Sequence, residues 1–457
     1  METVGESAVR RAFTATAVGR LLLVLVLLGC WVRFGVVNPS RNYQLDFRAF
    51  YATGKALHAA INPYDLEAKK EHINPHLPGR QSLMGYAYPP PTLPLMYAIA
   101  LLPLPAAQIV WAWFQFGLLL TATLLLFRGL GVQFGSPVSL LIAVPFWLSS
   151  PVFNLFRWGQ FDGIRAALVG LAVFLLLRRR MAAGGMAIAL AALAKVYPVA
   201  YLWVFVLRRE WKALFAGTAV VVVLMALGLA ALTPEARARY LFNNQDEFSE
   251  VDWVISPENM SVIGFVHRAL VDNPHGVEKS QAWLNLGPDF ARWVIIVIDF
   301  VLIAGASIWV VGHRRPLGAA DGVAMLVPVV LLCELNAWPH HCMAMLIPIA
   351  MIVALAARQE RLAGLDAVWV GAIVFLYTFC PVHEFGITLP KRIEHIVGPT
   401  TTYAMVLTWL FMLVRYPVLM RRAVPVPAEP GRTTASGAMP RLPGWSPPVD
   451  GVLGQPT

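Results

Sequence analysis

Apolar runs of about 17–25 residues recur almost end to end along this chain, each long enough to carry a helix across the roughly 30 Å hydrocarbon core of a bilayer. Lipid offers no hydrogen bonds, so each run must satisfy its own backbone, and helices do this segment by segment. The chain therefore reads as one all-α polytopic membrane domain. A soluble globular protein is excluded: 58% of the 457 residues are hydrophobic and only 14% are charged, where soluble domains carry about 25% charged residues.

The net charge of +10 is confined to short Lys/Arg clusters at the ends of apolar runs, where it orients spans, and no nucleic-acid partner is expected. Arg10, Arg11 and Arg20 hold residues 1–20 in the cytoplasm ahead of a first span at Leu21–Val37. Arg10-Arg11 with Phe13, and Leu27-Leu28-Gly29-Cys30, mimic export signals, but no small-residue cleavage site follows, so an uncleaved span is expected. A first outer loop covers residues 38–88, and Pro89–Pro105 is a short, proline-broken element beside the membrane. Further crossings are predicted at Ala106–Phe127, Ser139–Phe156, Ile164–Leu177, Ala213–Leu232, Trp293–Val311, Ala324–Leu335, Met343–Ala357, Ala367–Phe379 and Tyr403–Val414, with a second outer loop over 233–290.

Ala182–Leu207 lies between two basic clusters, and a single crossing would leave Arg208 and Arg209 outside. A rise over Ala182–Ala194 and a descent over Tyr197–Leu207 keep both clusters inside, with the Lys195–Pro198 break facing outward. This gives about twelve crossings, a membrane domain over 21–422 and both termini inside. Residues 423–457, rich in Pro, Gly, Ser and Ala, are expected to be a disordered cytoplasmic tail. The four cysteines form no CxxC pair and read as small core residues.

This parity gathers the unusual polar groups on the outer side: Asp46, Gln160, Asp162, Lys195, the segment Asn243–Arg268 and His340-His341. Ionisable groups at membrane depth are functional candidates by default. Asp46, on an aromatic-rich segment suited to the membrane surface, is a candidate general base; its structural alternative is a helix cap or a partner of Arg48. Lys195, ahead of Pro198, is a cation at a helix break suited to an anionic phosphate, or else a snorkelling lysine. Asn259-Met260-Ser261-Val262-Ile263-Gly264 leads to His267-Arg268, which offers polar donors and a guanidinium to phosphate oxygens or forms an amphipathic surface helix. Asp246, Glu247, Glu250 and Asp252 read as solvated. Asn62-Pro63-Tyr64-Asp65 and Tyr88-Pro89-Pro90-Pro91 carry turn and rigid-segment signals.

His340-His341 beside Cys342, with Cys333 and Glu334 upstream, suggests zinc, but adjacent histidines on a helix point about 100° apart and the thiols lie in apolar runs. No metal is expected; hydrogen bonding to phosphate or sugar fits better, and a structural pair at a helix end is the alternative. There is no GxxxxGK loop and no nucleophile elbow, so neither nucleotide-driven chemistry nor a cofactor is expected.

In chain order, Asp46-Phe47 with Phe50-Tyr51 and Gly54, Asn62-Pro63-Tyr64, Tyr88-Pro89-Pro90, Gly159-Gln160, Lys195 with Pro198, Asn259-x-Ser261 with Gly264 and Arg268, and Trp338-x-His340-His341 resemble glycosyltransferase family 87 of the GT-C superfamily. The likeness runs over roughly Leu21–Arg422. It implies a GT-C-type fold, Asp46 as catalytic base and inversion at the anomeric carbon. It also implies a polyprenyl-phosphate sugar donor, a lipid or glycan acceptor and an extracytoplasmic site on the inner (plasma) membrane. The donor or substrate contacts it suggests are Tyr88, Gln160, Lys195, Asn259, Arg268, His340 and His341. Asp162 stands where Asn or a small residue is expected, which leaves its role open. Phosphate is already a good leaving group and needs charge stabilisation more than a general acid, for which Lys195, Arg268 and His341 are the candidates. Mannose is favoured by the resemblance alone, and arabinose stays open. Two other readings compete: a twelve-span secondary transporter, though the halves do not repeat, and a non-catalytic partner in envelope assembly.

Overall fold

The computed structural model describes residues 4–40, 44–77, 84–243, 254, 256, 258–272, 282–314, 317–359, 362–378 and 400–423. The described residues are all helix, turn or irregular chain, without a strand among them. Five helices are long and apolar enough to cross a membrane: Thr16–Val37, Leu104–Leu130, Trp211–Ala230, Pro288–Gly312 and Pro339–Ala356. Counting each of two bent pairs as one span makes seven; Pro137–Trp147 and Ser150–Trp158 meet at 44°, Thr400–Val414 and Tyr416–Ala423 at 49°. Met181–Ala194, Tyr197–Arg208, Ala319–Leu332 and Gly364–Thr378 are apolar helices shorter than the roughly 20 residues a full crossing takes. Proline explains the breaks: Pro151 and Pro417 each stand in the first turn of a new helix, where the missing N–H does no harm.

Small residues set the packing. A Cβ on Gly185 would lie 2.1 Å from the Ala213 carbonyl oxygen, and one on Gly228 would lie 2.9 Å from Pro91, so Trp211–Ala230 touches Met181–Ala194 at one end and the Pro90 region at the other. Met181–Ala194 and Trp211–Ala230 thus run in the same direction, and Tyr197–Arg208 between them runs back. The chain reverses at Lys195. At the opposite end the basic clusters meet helix ends: Arg20 donates to the Phe134 carbonyl, Arg178 to that of Arg128, Arg358 to that of Leu130, and Arg208 to those of Arg314 and Leu317.

The segment that follows the first long helix folds into the helices Leu45–His58 and Leu66–His72. Gly54 lets the former lie directly on Met96 of Leu93–Ile99. Arg48 turns away from Asp46 to bond Asn74 at 3.2 Å and the Leu77 carbonyl at 3.4 Å. Asn62 closes a turn by accepting from the Tyr64 N–H, and Asp65 caps the next helix by accepting from the Ala68 N–H. Pro339–Ala356 is wholly buried, which carries His340 and His341 into the core. The C-terminal segment 424–457, the loop Pro381–Val397, Cys380 and the acidic run Asp246, Glu247, Glu250 and Asp252 lie outside the described residues.

Candidate active site

Gly159 ends the Ser150–Trp158 helix with φ +70°, a backbone that glycine adopts without strain. A Cβ there would lie 2.6 Å from that of Phe47, so glycine also allows the close approach of the Leu45–His58 helix. The Gly159 carbonyl is pinned by the Trp111 indole N–H at 2.8 Å. Gln160 is thereby aimed at Asp46: its Nε2 donates to Asp46 Oδ2 while its Oε1 accepts from the Tyr88 hydroxyl at 2.8 Å. Phe47, Phe50, Trp111 and Phe161 wall this side, with Phe50 and Phe161 centroids 5.0 Å apart. Burial pushes the Asp46 carboxyl up to about 6; the Gln160 hydrogen bond and the Lys195 charge pull it down, and Asp162 and Glu258 push it further up. No cation lies within ion-pair distance of Asp46 among the described residues.

Two residues beyond Gln160, Asp162 opens the Asp162–Leu177 helix and is fully buried. Its Oδ1 lies 2.6 Å from Arg165 Nη2, and its Oδ2 lies 3.4 Å from Lys195 Nζ and 3.7 Å from His340 Nε2. Arg165, also buried, donates to the His341 carbonyl at 2.7 Å and stacks 4.6 Å over the Tyr197 ring. Met181–Ala194 stops at Lys195, whose backbone is extended as the chain approaches Pro198. Lys195 Nζ contacts His341 Nε2, and His341 Nδ1 lies 3.1 Å from the Glu334 carboxyl group. Neither ring nitrogen of His340 has a hydrogen-bond partner among the described residues.

Ligand atoms of Asp162, His340 and His341 all lie within 4.8 Å of one another, a spacing open to a metal ion. Arg165 and Lys195, however, already sit on Asp162, and Lys195 also occupies His341 Nε2. Two cations at these atoms oppose a third, and the arrangement suits an anion approaching Lys195.

Tyr88, Gln160 and Asp46 form one hydrogen-bonded chain, and Lys195, His340 and His341 meet around Asp162. Asn259 and Arg268 stand apart from both. The Asn259 amide N–H groups go to the Val254 and Leu335 carbonyls, each at 2.9 Å, and its oxygen accepts from the backbone of Ser261 and Ala337. Arg268 donates to the carbonyls of Ser256 and Asn259. This motif fastens Asn259 and the Val262–Leu270 helix that follows it to Leu335–Ala337, just ahead of the histidines. Sequence reasoning missed Arg165, though Asp162 and Arg165 at i,i+3 in an apolar helix was the signal, and treated Glu334 only as a zinc candidate.

The chain is 24% identical over 314 residues to the polyprenol-phosphate-mannose-dependent alpha-(1-2)-phosphatidylinositol mannoside mannosyltransferase of Mycobacterium tuberculosis (strain ATCC 25618 / H37Rv), an alignment that takes in 64% of this chain and 67% of that protein. The profile of glycosyltransferase family 87 matches residues 86–334, a stretch that holds Tyr88, Gln160, Asp162, Arg165, Lys195 and Glu334. With more than half of its length matched and apolar helices of membrane-spanning length, the chain belongs to glycosyltransferase family 87 and is a membrane glycosyltransferase.

Proposed function

We propose that the protein moves a sugar, with mannose the first choice, from a polyprenyl-phosphate donor to a hydroxyl of a lipid or glycan acceptor, with inversion, on the extracytoplasmic face of the inner (plasma) membrane. The observation that carries this reading is the pairing of two unlike groups: Asp46, held by an amide with no cation at ion-pair distance among the described residues, and the ammonium of Lys195, whose field reaches it. The donor class is supported by the relative, which depends on polyprenol-phosphate-mannose. The outward face is supported by the basic clusters at the opposite end of the helices, which the positive-inside bias assigns to the cytoplasm. A GT-C-type fold with about twelve crossings follows if the shorter apolar helices, such as Met181–Ala194 and Tyr197–Arg208, count as passes that meet the outer segments at membrane depth. Family membership removes the support for a transporter.

In the proposed reaction an acceptor hydroxyl oxygen attacks the anomeric carbon and its proton passes to Asp46. The bond from the anomeric carbon to the phosphate oxygen breaks, and its electron pair leaves with the polyprenyl phosphate. Lys195 has three N–H donors, of which Asp162 and His341 engage two, so one remains for a phosphate oxygen. A single displacement inverts the anomeric centre. Tyr88 holds Gln160 in register, and Asn259, braced by Arg268, holds Leu335–Ala337, which leads into His340 and His341. The test is incubation of the purified chain with radiolabelled polyprenyl-phosphate mannose or arabinose and lipid and glycan acceptors, followed by assignment of the anomeric configuration. An inverted glycoside is expected; label that stays in the donor with every acceptor sinks the proposal.

A further inference from the structure

We propose that Glu334 is a positioning residue for this transfer, acting through His341 to hold the Lys195 ammonium where it meets the donor phosphate. The inference rests on the site reading above. Lys195 donates to His341 Nε2, which places the ring proton of His341 on Nδ1, 3.1 Å from the Glu334 carboxyl group. Glu334 accepts that proton's hydrogen bond and fixes both the tautomer and the tilt of the ring. The backbone of His341 is fixed independently, since Arg165 Nη2 binds the His341 backbone carbonyl and the Asp162 carboxylate together. Lys195 is thus held between two anchored acceptors, and its own side chain is about one-fifth exposed.

Geometry assigns the role to an oxygen of Glu334. Both carboxyl oxygens lie 3.1 Å from Nδ1, and a single acceptor suffices to hold its proton. An amide of the same length keeps that acceptor, whereas Asp keeps the charge and loses the reach.

The experiment measures the affinity of the purified full-length chain for polyprenyl phosphate, by tryptophan fluorescence and by product inhibition, in Glu334→Gln, Glu334→Asp, Lys195→Ala and the two double variants with Lys195→Ala. Glu334→Gln is expected to weaken affinity about two- to threefold and Glu334→Asp about tenfold or more, the scale of one lost hydrogen bond beside a charge. Both effects should vanish in the Lys195→Ala background, because the route runs through that ammonium. An Asp variant that binds better than the Gln variant, or Glu334 effects that persist without Lys195, would overturn the positioning role. Parental affinity in Lys195→Ala alone would instead overturn the placement of the phosphate, and with it the reading on which this inference rests.

Discussion

The side-chain amide of Gln160 donates a hydrogen bond to the carboxylate of Asp46 across 114 residues of sequence. The bond ties the Leu45–His58 helix to the start of the Asp162–Leu177 helix, so the candidate base and the buried cation cluster share one junction. An amide in this role steadies a carboxylate without neutralising it, as an arginine would.

Asp46→Asn should lose about 10²- to 10⁴-fold in turnover, the usual contribution of a positioned general base, while keeping its fold and its affinity for polyprenyl phosphate. Sugar transfer, binding and thermal melting measured on one preparation decide the matter. Near-parental transfer by the Asn variant would remove Asp46 from the chemistry.

The elevated Asp46 carboxyl makes a second prediction. A base works when ionised, so kcat/KM should fall as the pH drops through about 6. For stability the sign is reversed. A carboxyl whose folded value lies above its unfolded value of about 4 contributes stability that is fully present below about 4 and is lost as the pH rises through about 6. Melting of the parent should therefore decline more between pH 4 and pH 7 than melting of Asp46→Asn. Parallel curves would show that the fold does not raise the Asp46 carboxyl above its unfolded value.

Hydropathy and the positive-inside bias made the reversal at Lys195 legible, since both signals act through bulk transfer free energies that depend on composition. They also placed the ends of most apolar helices, because hydrocarbon penalises polar residues and so each apolar run stops where they begin. The Asp46–Gln160 contact was legible only as coincidence of side, because its geometry depends on how closely Gly159 approaches Phe47. Asp162 remained unassigned for a similar reason: an aspartate in sequence does not reveal that Arg165, Lys195 and His340 close around it. Asn259 and Arg268 carried the right chemistry for phosphate, but their polar atoms go to backbone carbonyls and N–H groups, which no side-chain pattern exposes.

Gly159→Ala tests the junction. The new methyl group would lie 2.6 Å from Phe47 Cβ, and its left-handed backbone adds about 1–2 kcal/mol of strain, so melting and sugar transfer should both drop. Gly131 has φ +67° with open space around its would-be Cβ. Gly131→Ala should show the strain alone, with transfer per folded molecule close to the parent. Equal loss of transfer in both variants would mean that contact with the Leu45–His58 helix is irrelevant.

The Asp162–Arg165 pair offers the sharpest test of the core of the site. Both side chains are essentially inaccessible to solvent, and their 2.6 Å contact is reinforced by Lys195 on the other carboxylate oxygen. Taking such charges out of water is costly, and removing one partner of a buried pair typically destabilises by about 3–5 kcal/mol because the other charge is left unmatched. Asp162→Asn strips the anion from two cations at once and should be the least stable variant. Arg165→Gln leaves Lys195 on Asp162 and should be milder. Combining the two removes one charge of each sign, so the double variant should melt above Asp162→Asn while still failing in sugar transfer, because Lys195 has lost its carboxylate anchor. A double variant whose losses simply add would show that the two residues do not act as a pair, and a fully active one would show that Lys195 is held without Asp162.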